Sequence, residues 1–226
     1  MKAAVVVVAA GRGERFGGAR NKVYLPLGER PILAHAVAAF AQHPQVLQLV
    51  VVVAEGEAAL ARQALKPLSL HLPCTIRTGA LTRQGSVHQG LQAVATDLPL
   101  VLVHDGARPC VSRALLDRVL HAAEACGAAL PAIPIQDSLK RADEAGFVAD
   151  SPSRQGLYLA QTPQGFHTAL LRRALERALE EGKTFSDDAA AVACYCETRI
   201  KLVEGDVCNV KVTTPQDLEL AARWLR

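Results

Sequence analysis

Aromatic residues are scarce in this chain, at 4% of 226 residues with a single tryptophan. A stacking platform for single-stranded nucleic acid needs such rings, and no RNA-recognition aromatics occur. The formal net charge of +3 suits small anions but gives no clustered basic patch for a nucleic acid. No CxxC pair exists among the six cysteines. Cys194 and Cys196 form a C-x-C without the second pair or the histidine spacing of a zinc site, so the expectation is small buried thiols in a reducing cytosol. No apolar run reaches the ~18 residues of a membrane span. MKAAVVVVAAG imitates a short signal peptide, but its apolar stretch is near the minimum and glycine and arginines follow at once, which reads as a first strand. Repeats, linkers and low-complexity tracts are missing too. The expectation is one soluble, cytoplasmic domain over residues 1–226, with neither nucleic acid nor membrane as partner.

What the chain does contain is apolar surface to bury. Half of it is hydrophobic, too much for a disordered segment, and its length suffices for a full core. Apolar, β-branched runs alternate with helical patterns. Strands are expected at Ala3–Ala10, Val46–Ala54, Thr75–Thr78, Leu100–His104 and Ala128–Ile135. Between them lie helices over Pro31–Gln42, Glu57–Leu65, Thr82–Ala95 and from the Ser112 cap to Cys126. Continuous apolar strands separated by helices predict a mostly parallel sheet covered on both faces, a three-layer α/β/α Rossmann-like fold.

The rhythm breaks from Gln136 to Gln164, QDSLKRADEAGFVADSPSRQGLYLAQTPQ. A stretch this long and polar inside a compact domain is uncommon and often functional. Two short strands with a turn near Glu144–Gly146 would make a projecting β-arm. Its edges need cover, for which a second copy of the chain is the simplest candidate. Helices are then expected at Thr168–Glu181 and Asp188–Ala193, and strands at Ile200–Val203 and Val207–Val212. A last helix is capped by Thr214, with Pro215 first and Asp217 third, close to a capping box.

Three segments carry chemistry. AAGRGERFGGARNKVYL, Ala9–Leu25, begins like G-x-G-x-x-G, but Phe16 stands at the third glycine and the next helix starts too late for a dinucleotide. The Walker pattern is absent as well. What remains is a glycine-containing loop with Arg12, Arg15, Arg20 and Lys22, able to approach phosphate oxygens and neutralise charge in phosphoryl-type transfer. A merely solvated basic loop is the alternative. VLVHDGARP places Asp105 just past a buried strand, where open α/β sheets bind ligands. It could hold Mg²⁺ against a triphosphate, or cap a turn and pair with Arg108. TGALTRQGSV sets Arg83 and Ser86 in the first turns of a helix after Gly79, where small residues admit a flat base or simply cap the helix.

Together the segments are sharper. A-A-G-x-G-x-R near residue 10, K-x-Y-L at 22–25, R-x-x-S-V at 83–87, H-D-G-A-R-P at 104–109, D-S-L-K-R at 137–141, T-P-Q at 162–164 and N-V-K-V-T at 209–213 occur in this order. The chain thereby resembles, over essentially its whole length, the 2-C-methyl-D-erythritol 4-phosphate cytidylyltransferase family. The resemblance implies a homodimeric, Mg²⁺-dependent enzyme that joins CTP to the alcohol phosphate and releases pyrophosphate. The transition-state cations fall on Arg15 and Lys22, and the substrate-positioning residues on Arg154, Lys211 and Ser138. Nucleotide contacts fall on Ala9, Ala10, Gly11, Arg12 and Gly13, on Gly79, Ala80, Arg83 and Ser86, and on Asp105 and Ala107, with Asp105 also the metal candidate. The family's arm crosses its dimer, so Ser138 and Arg154 would serve the neighbour's site.

Three positions depart from the family pattern. Ala80 stands where a second glycine is common, Leu81 where an acidic residue can occur, and Val23 where glutamine is usual. The first two bear on the cytosine site; the third has no evident reason. The rival activities are a ribitol-phosphate or other polyol-phosphate cytidylyltransferase and a non-catalytic nucleotide-binding regulator. The A-A-G start favours methylerythritol, and retention of Arg15, Lys22, Arg154 and Lys211 together argues against a sensor.

Overall fold

The computed structural model describes residues 2–11 and 21–225. The first strand, β1 (Ala3–Ala9), sets the architecture because both of its faces are apolar. Ala3, Val5, Val7 and Ala9 point into one core, and Ala4 and Val6 into another. Such a strand must be central and covered twice.

Its neighbours supply the cover. A small hairpin, β2 (Pro26–Leu27) and β3 (Arg30–Pro31), leads into α1 (Ile32–Ala41). Then follow β4 (Val46–Val53), α2 (Ala58–Leu65), β5 (Cys74–Thr78), α3 (Arg83–Leu91), β6 (Leu100–Asp105), α4 (Arg113–Cys126) and β7 (Ala128–Pro134). The strands β8 (Arg141–Ala142) and β9 (Val148–Asp150) form a separate hairpin. After them come β10 (Tyr158–Ala160), β11 (Gln164–His167), α5 (Thr168–Glu180), α6 (Asp188–Tyr195), β12 (Lys201–Glu204) and α7 (Pro215–Trp224). Residues of α1, α2 and α4 fill the core on one face of the sheet, and those of α3, α5 and α6 the core on the other. This is the expected three-layer α/β/α fold.

The eight-stranded sheet runs β10-β7-β11-β6-β1-β4-β5, with β12 also paired to β7. The pairs β1–β4, β1–β6, β4–β5 and β7–β12 are parallel. In the middle, β11 is antiparallel to both β6 and β7. The chain therefore leaves β7, makes the arm, and returns as a strand between β6 and β7. The sequence marks only short extended pieces there, because four residues such as Gln164–His167 give no periodicity to read.

The expected hairpin exists at the tip of the arm. Asp143 Oδ1 accepts from the N–H groups of Ala145 (3.0 Å) and Phe147 (2.9 Å), and Gly146 turns the chain at φ +85°, a conformation that costs glycine little. Most of the arm is exposed, including Phe147 and Val148. At the other end of the chain, the Thr214–Asp217 capping box closes the first turn of α7.

Two expected elements differ. The helix from Thr82 ends at Leu91 rather than Ala95 because Gln48 of β4 captures the backbone beyond it, donating to Ala93 O (2.8 Å) and accepting from Ala95 N (2.9 Å). Val207–Val212 is not a strand. Its polar groups pair elsewhere: Asn209 O accepts from Arg108 (2.6 Å), Asn209 Nδ2 donates to Thr162 O (2.8 Å), and Val212 N donates to Ala107 O (2.8 Å). Among the described residues, no helix is long and apolar enough to cross a membrane.

Close packing of α3 on the sheet depends on Gly90. A Cβ there would lie 2.5 Å from Val6 Cγ1 and 2.9 Å from Val52 Cγ2, both on buried strands. Overpacking costs about 1–3 kcal/mol, against at most about 1 kcal/mol regained in helix propensity. Gly90→Ala is therefore expected to lower the urea midpoint without altering the m-value; an unchanged midpoint would show that the strands yield freely.

Candidate active site

At the carboxyl ends of β1 and β6 lies a cleft of about 350 Å³, the place where open α/β sheets take their ligands. Ala9, Ala10 and Gly11 enter it from β1, and Asp105 and Ala107 from β6. Lys22, Ala80, Arg83, Ser86 and Lys211 complete its expected members. Arg12, Gly13 and Arg15 lie outside the described residues.

Gly79 stands behind this wall, where a Cβ would be 2.7 Å from both Ala10 Cβ and Ser86 Oγ. Its glycine thus reflects a close approach of two chain segments. The Ser86 hydroxyl fixes the loop between them: it accepts from Ala80 N (3.0 Å), with Thr82 O (2.9 Å) and Ala80 O (3.2 Å) available to its proton. Thr82 in turn caps α3 by accepting from Gly85 N. These bonds tie the wall together, and Leu81 projects from it fully exposed.

The opposite end of the cleft is charged. Asp105 is buried, and cations reach it from separate segments: Lys211 Nζ at 2.7 Å from Oδ2, Arg83 Nε at 3.2 Å from Oδ1, and Arg108 Nε at 4.0 Å. Burial alone would raise the Asp105 pKa, but Arg83, Lys211 and Arg108 outweigh it and hold the carboxyl well below the usual range. Behind Arg83 stands a second carboxylate, Asp188, fully buried at the start of α6 and 2.8 Å from Arg83 Nη1. The order Lys211, Asp105, Arg83, Asp188 alternates in sign from the cleft inward. No sequence motif points to Asp188; the only signal is the acidic pair Asp187–Asp188 before a short apolar helix.

Two asparagines have structural roles that the sequence reading does not assign, although Asn209 opens the N-V-K-V-T motif. Asn21 donates to Ala9 O (2.9 Å) and Glu57 (3.0 Å) and accepts from Val23 N (3.3 Å). It thereby ties the turn that carries Lys22 to the end of β1. Asn209, two residues before Lys211, is fully buried against Thr162. With Val212 N on Ala107 O, it fixes the segment that delivers Lys211.

Ser138 and Arg154 are exposed on the arm and are not among the described residues that line the cleft of their own chain. The expected members are therefore split between the cleft and a projection from the domain. As for a metal, Asp105 is the only carboxylate lining the cleft among the described residues, and these contain no cluster of His, Cys, Asp or Glu able to cage an ion. One carboxylate held ionised fits an ion that brings phosphate oxygens and water as its other ligands.

A sheet covered on both faces carries at its strand termini a neutral small-residue wall and a cationic end, where α/β proteins take their ligands, and the family match makes the chain a nucleotidyltransferase. The family described as 2-C-methyl-D-erythritol 4-phosphate cytidylyltransferase (IspD) matches residues 3–226, and the chain belongs to that family. It is 39% identical over 227 residues to the 2-C-methyl-D-erythritol 4-phosphate cytidylyltransferase of Syntrophotalea carbinolica, covering 100% of this chain and 97% of that one. It is 41% identical to the bifunctional enzyme IspD/IspF of Nitrobacter winogradskyi, covering 96% of this chain and 54% of the longer protein. The crystal structure of 2-C-methyl-D-erythritol 4-phosphate cytidylyltransferase from Thermus thermophilus superposes with a TM-score of 0.83 at 37% identity, covering 100% of both chains.

Beneath Asp105 lies His104, fully buried. Its Nε2 is 3.0 Å from Arg108 O, which only accepts, so Nε2 carries the proton and Nδ1 accepts from Thr162 Oγ1 at 3.1 Å. Thr162 Oγ1 accepts in turn from Asp105 N. Burial pushes the His104 pKa down to about 4, against the Arg108 carbonyl and the Asp105 charge. An unfolded histidine titrates near 6.5. Between those values the unfolded chain binds a proton that the folded one refuses, so this contribution is complete above about pH 6.5 and is lost as pH falls toward 4. Up to about 3 kcal/mol of stability should disappear across that window. Urea unfolding at pH 7 and pH 4.5 should show a smaller difference for His104→Gln than for the wild type; equal differences would place the titration elsewhere.

Proposed function

We propose that this chain transfers the cytidylyl group of CTP to 2-C-methyl-D-erythritol 4-phosphate, giving 4-CDP-2-C-methyl-D-erythritol and pyrophosphate for non-mevalonate isoprenoid synthesis. The observation that carries this reading is the match to that family from residue 3 to 226. The cleft at the ends of β1 and β6, lined by Lys22 and with Arg83 and Lys211 paired to Asp105, accords with it.

A phosphate oxygen of the alcohol phosphate attacks the α-phosphorus, and the bond from that phosphorus to the leaving pyrophosphate breaks. The attacking oxygen is already anionic, so no general base is needed, and catalysis reduces to alignment and charge neutralisation. Lys22, with Arg15, meets the charge that develops at the α-phosphate. Lys211 and Arg154 hold the phosphate of the second substrate, and Ser138 offers it a hydroxyl. Asp105 would hold Mg²⁺, which when bound would neutralise triphosphate charge. The neutral wall at Ala80 and Ser86 takes the base.

The arm supports a dimer. Phe147 is 73% exposed, Val148 65% and Leu159 53%, an apolar investment without value in a lone domain. We place Ser138 and Arg154 in the active site of a neighbouring copy, and the protein in a reducing cytoplasm that keeps its six cysteines free.

The direct test is pyrophosphate release with CTP and a panel of polyol phosphates. Methylerythritol phosphate should be turned over with the highest kcat/KM; preference for ribitol phosphate would reassign the acceptor, and no release with any acceptor would leave a binding protein.

Three variants examine the assigned roles. Lys22→Ala should lower kcat by about 100-fold or more, on the order expected for transition-state charge stabilisation, while changing KM for CTP far less. A change confined to KM would make Lys22 a binding residue. Asp105→Asn should raise the Mg²⁺ concentration for half-maximal activity, and an unaltered Mg²⁺ dependence would mark Asp105 as structural. Finally, Arg154→Ala and Lys22→Ala subunits, each verified as folded and dimeric, should regain activity when mixed and allowed to exchange. One site of the mixed dimer carries both defects and the other neither, giving about half of the wild-type activity per mixed dimer. Verified exchange without recovery would mean that the arm serves its own chain.

A further inference from the structure

The alternating charges at the cleft end on a residue that the proposed reaction does not use. Asp188 is 1% exposed, and burial raises its pKa despite the opposing Arg83 charge. A carboxylate so placed is costly unless a cation meets it, and Arg83 does so with Nη1 at 2.8 Å while its Nε lies 3.2 Å from Asp105. Two carboxylates from different elements thus grip one guanidinium by two different nitrogens.

The grip is asymmetric because the position of Asp188 is set without Arg83. The first turn of α6 is fastened to β11 by Gln164, which donates to Asp187 Oδ2 (2.9 Å) and accepts from Ala189 N (3.0 Å). Asp187 caps the same turn by accepting from Ala190 N (2.8 Å). The preceding loop is fastened to α3 by Gln84, which donates to Lys183 O and accepts from Phe185 N, both at 3.0 Å. Arg83 is 30% exposed along its side chain and lines the cleft. Asp188 is therefore the fixed post, and Arg83 the part held against it.

We infer that Asp188 is a positioning residue, which acts on nucleotide binding by setting the orientation of the Arg83 guanidinium beside Asp105. Without the rear carboxylate, Arg83 has one anionic partner instead of two. It then closes onto Asp105 or follows the ligand, and the preset arrangement of charge at the phosphate end of the cleft is lost. An ion pair that served stability alone would leave ligand affinity unchanged when neutralised in an isosteric way. The inference rests on the reading of this cleft as the CTP site.

A double-mutant cycle on CTP affinity, measured by calorimetry in the presence of Mg²⁺, separates these roles. Asp188→Asn keeps shape and removes charge; it is expected to weaken CTP binding by about tenfold, within the range for coupled neighbours. Arg83→Gln should weaken it at least as much. The double variant should match Arg83→Gln alone to within about twofold, because Asp188 has nothing left to position. Losses that multiply, or wild-type affinity in Asp188→Asn, would overturn the inference. Should Asp188→Asn not fold, Asp188→Glu carries the same test: displacing the carboxylate by one methylene should weaken binding by itself and add nothing to Arg83→Gln. Failure of the wild type to bind CTP would remove the functional reading and this inference with it, whereas additive losses remove the inference alone.

Discussion

A carboxylate buried at the end of a strand has to be met by cations, and Asp105 is met from several directions. Arg83 arrives on the first turn of α3, Lys211 on the irregular segment before α7, and Arg108 from the turn that follows β6. Each must be delivered to within a few ångströms by its own part of the chain, and Arg83 and Lys211 come from parts remote in sequence. The polar bonds around the cleft perform that delivery. Asn209 and Val212 N anchor the Lys211 segment, while Thr82 and Ser86 fix the start of α3. Unmaking the charge cluster would leave an unpaired buried carboxylate, a far larger penalty than loss of an exposed ion pair.

The same constraint explains why the two halves of the cleft look unlike one another. At the Gly79–Thr82 wall, polar groups are satisfied by their own neighbours, and what faces outward is small or apolar. At the Asp105 end, charge is concentrated where water is partly excluded, so electrostatic interactions there exceed their strength on an open surface. The cleft thus presents a small, neutral face at one end and concentrated charge at the other.

Much of this is legible in the sequence, for identifiable reasons. The strand at Ala3–Ala9 can be read because an unbroken apolar run has few other uses, and the last helix because Thr214, Pro215 and Asp217 each mark one position of its first turn. The cleft is readable where backbone approach demands small residues, as at Gly79, and where an acid follows a buried strand, as at Asp105. What stays hidden depends on partners remote in sequence. Nothing local distinguishes Val207–Val212 from a strand until Arg108 and Ala107 take its backbone groups. Asn21, Asn209 and Asp188 look like ordinary turn and cap residues until the fold supplies Ala9, Thr162 and Arg83. Ser138 and Arg154 are a further case, since they are not among the described residues that line the cleft of their own chain.

The return of the chain as β11 has a consequence for how the protein comes into being. On the β5-β4-β1-β6 side, every strand of the pairing precedes the arm, and this half can assemble as the chain lengthens. Across the sheet, β7 finds no place beside β6 until β11 has been made, because β11 occupies the position between them. The arm is the loop that must close for this to happen, and closing it delays the second half of the sheet through its entropy rather than through any missing contact. During that interval the edge of β6 stands open, with Val101 and Val103, later buried, still uncovered. The segment that gives the finished protein its projecting surface is also the one whose return completes the sheet.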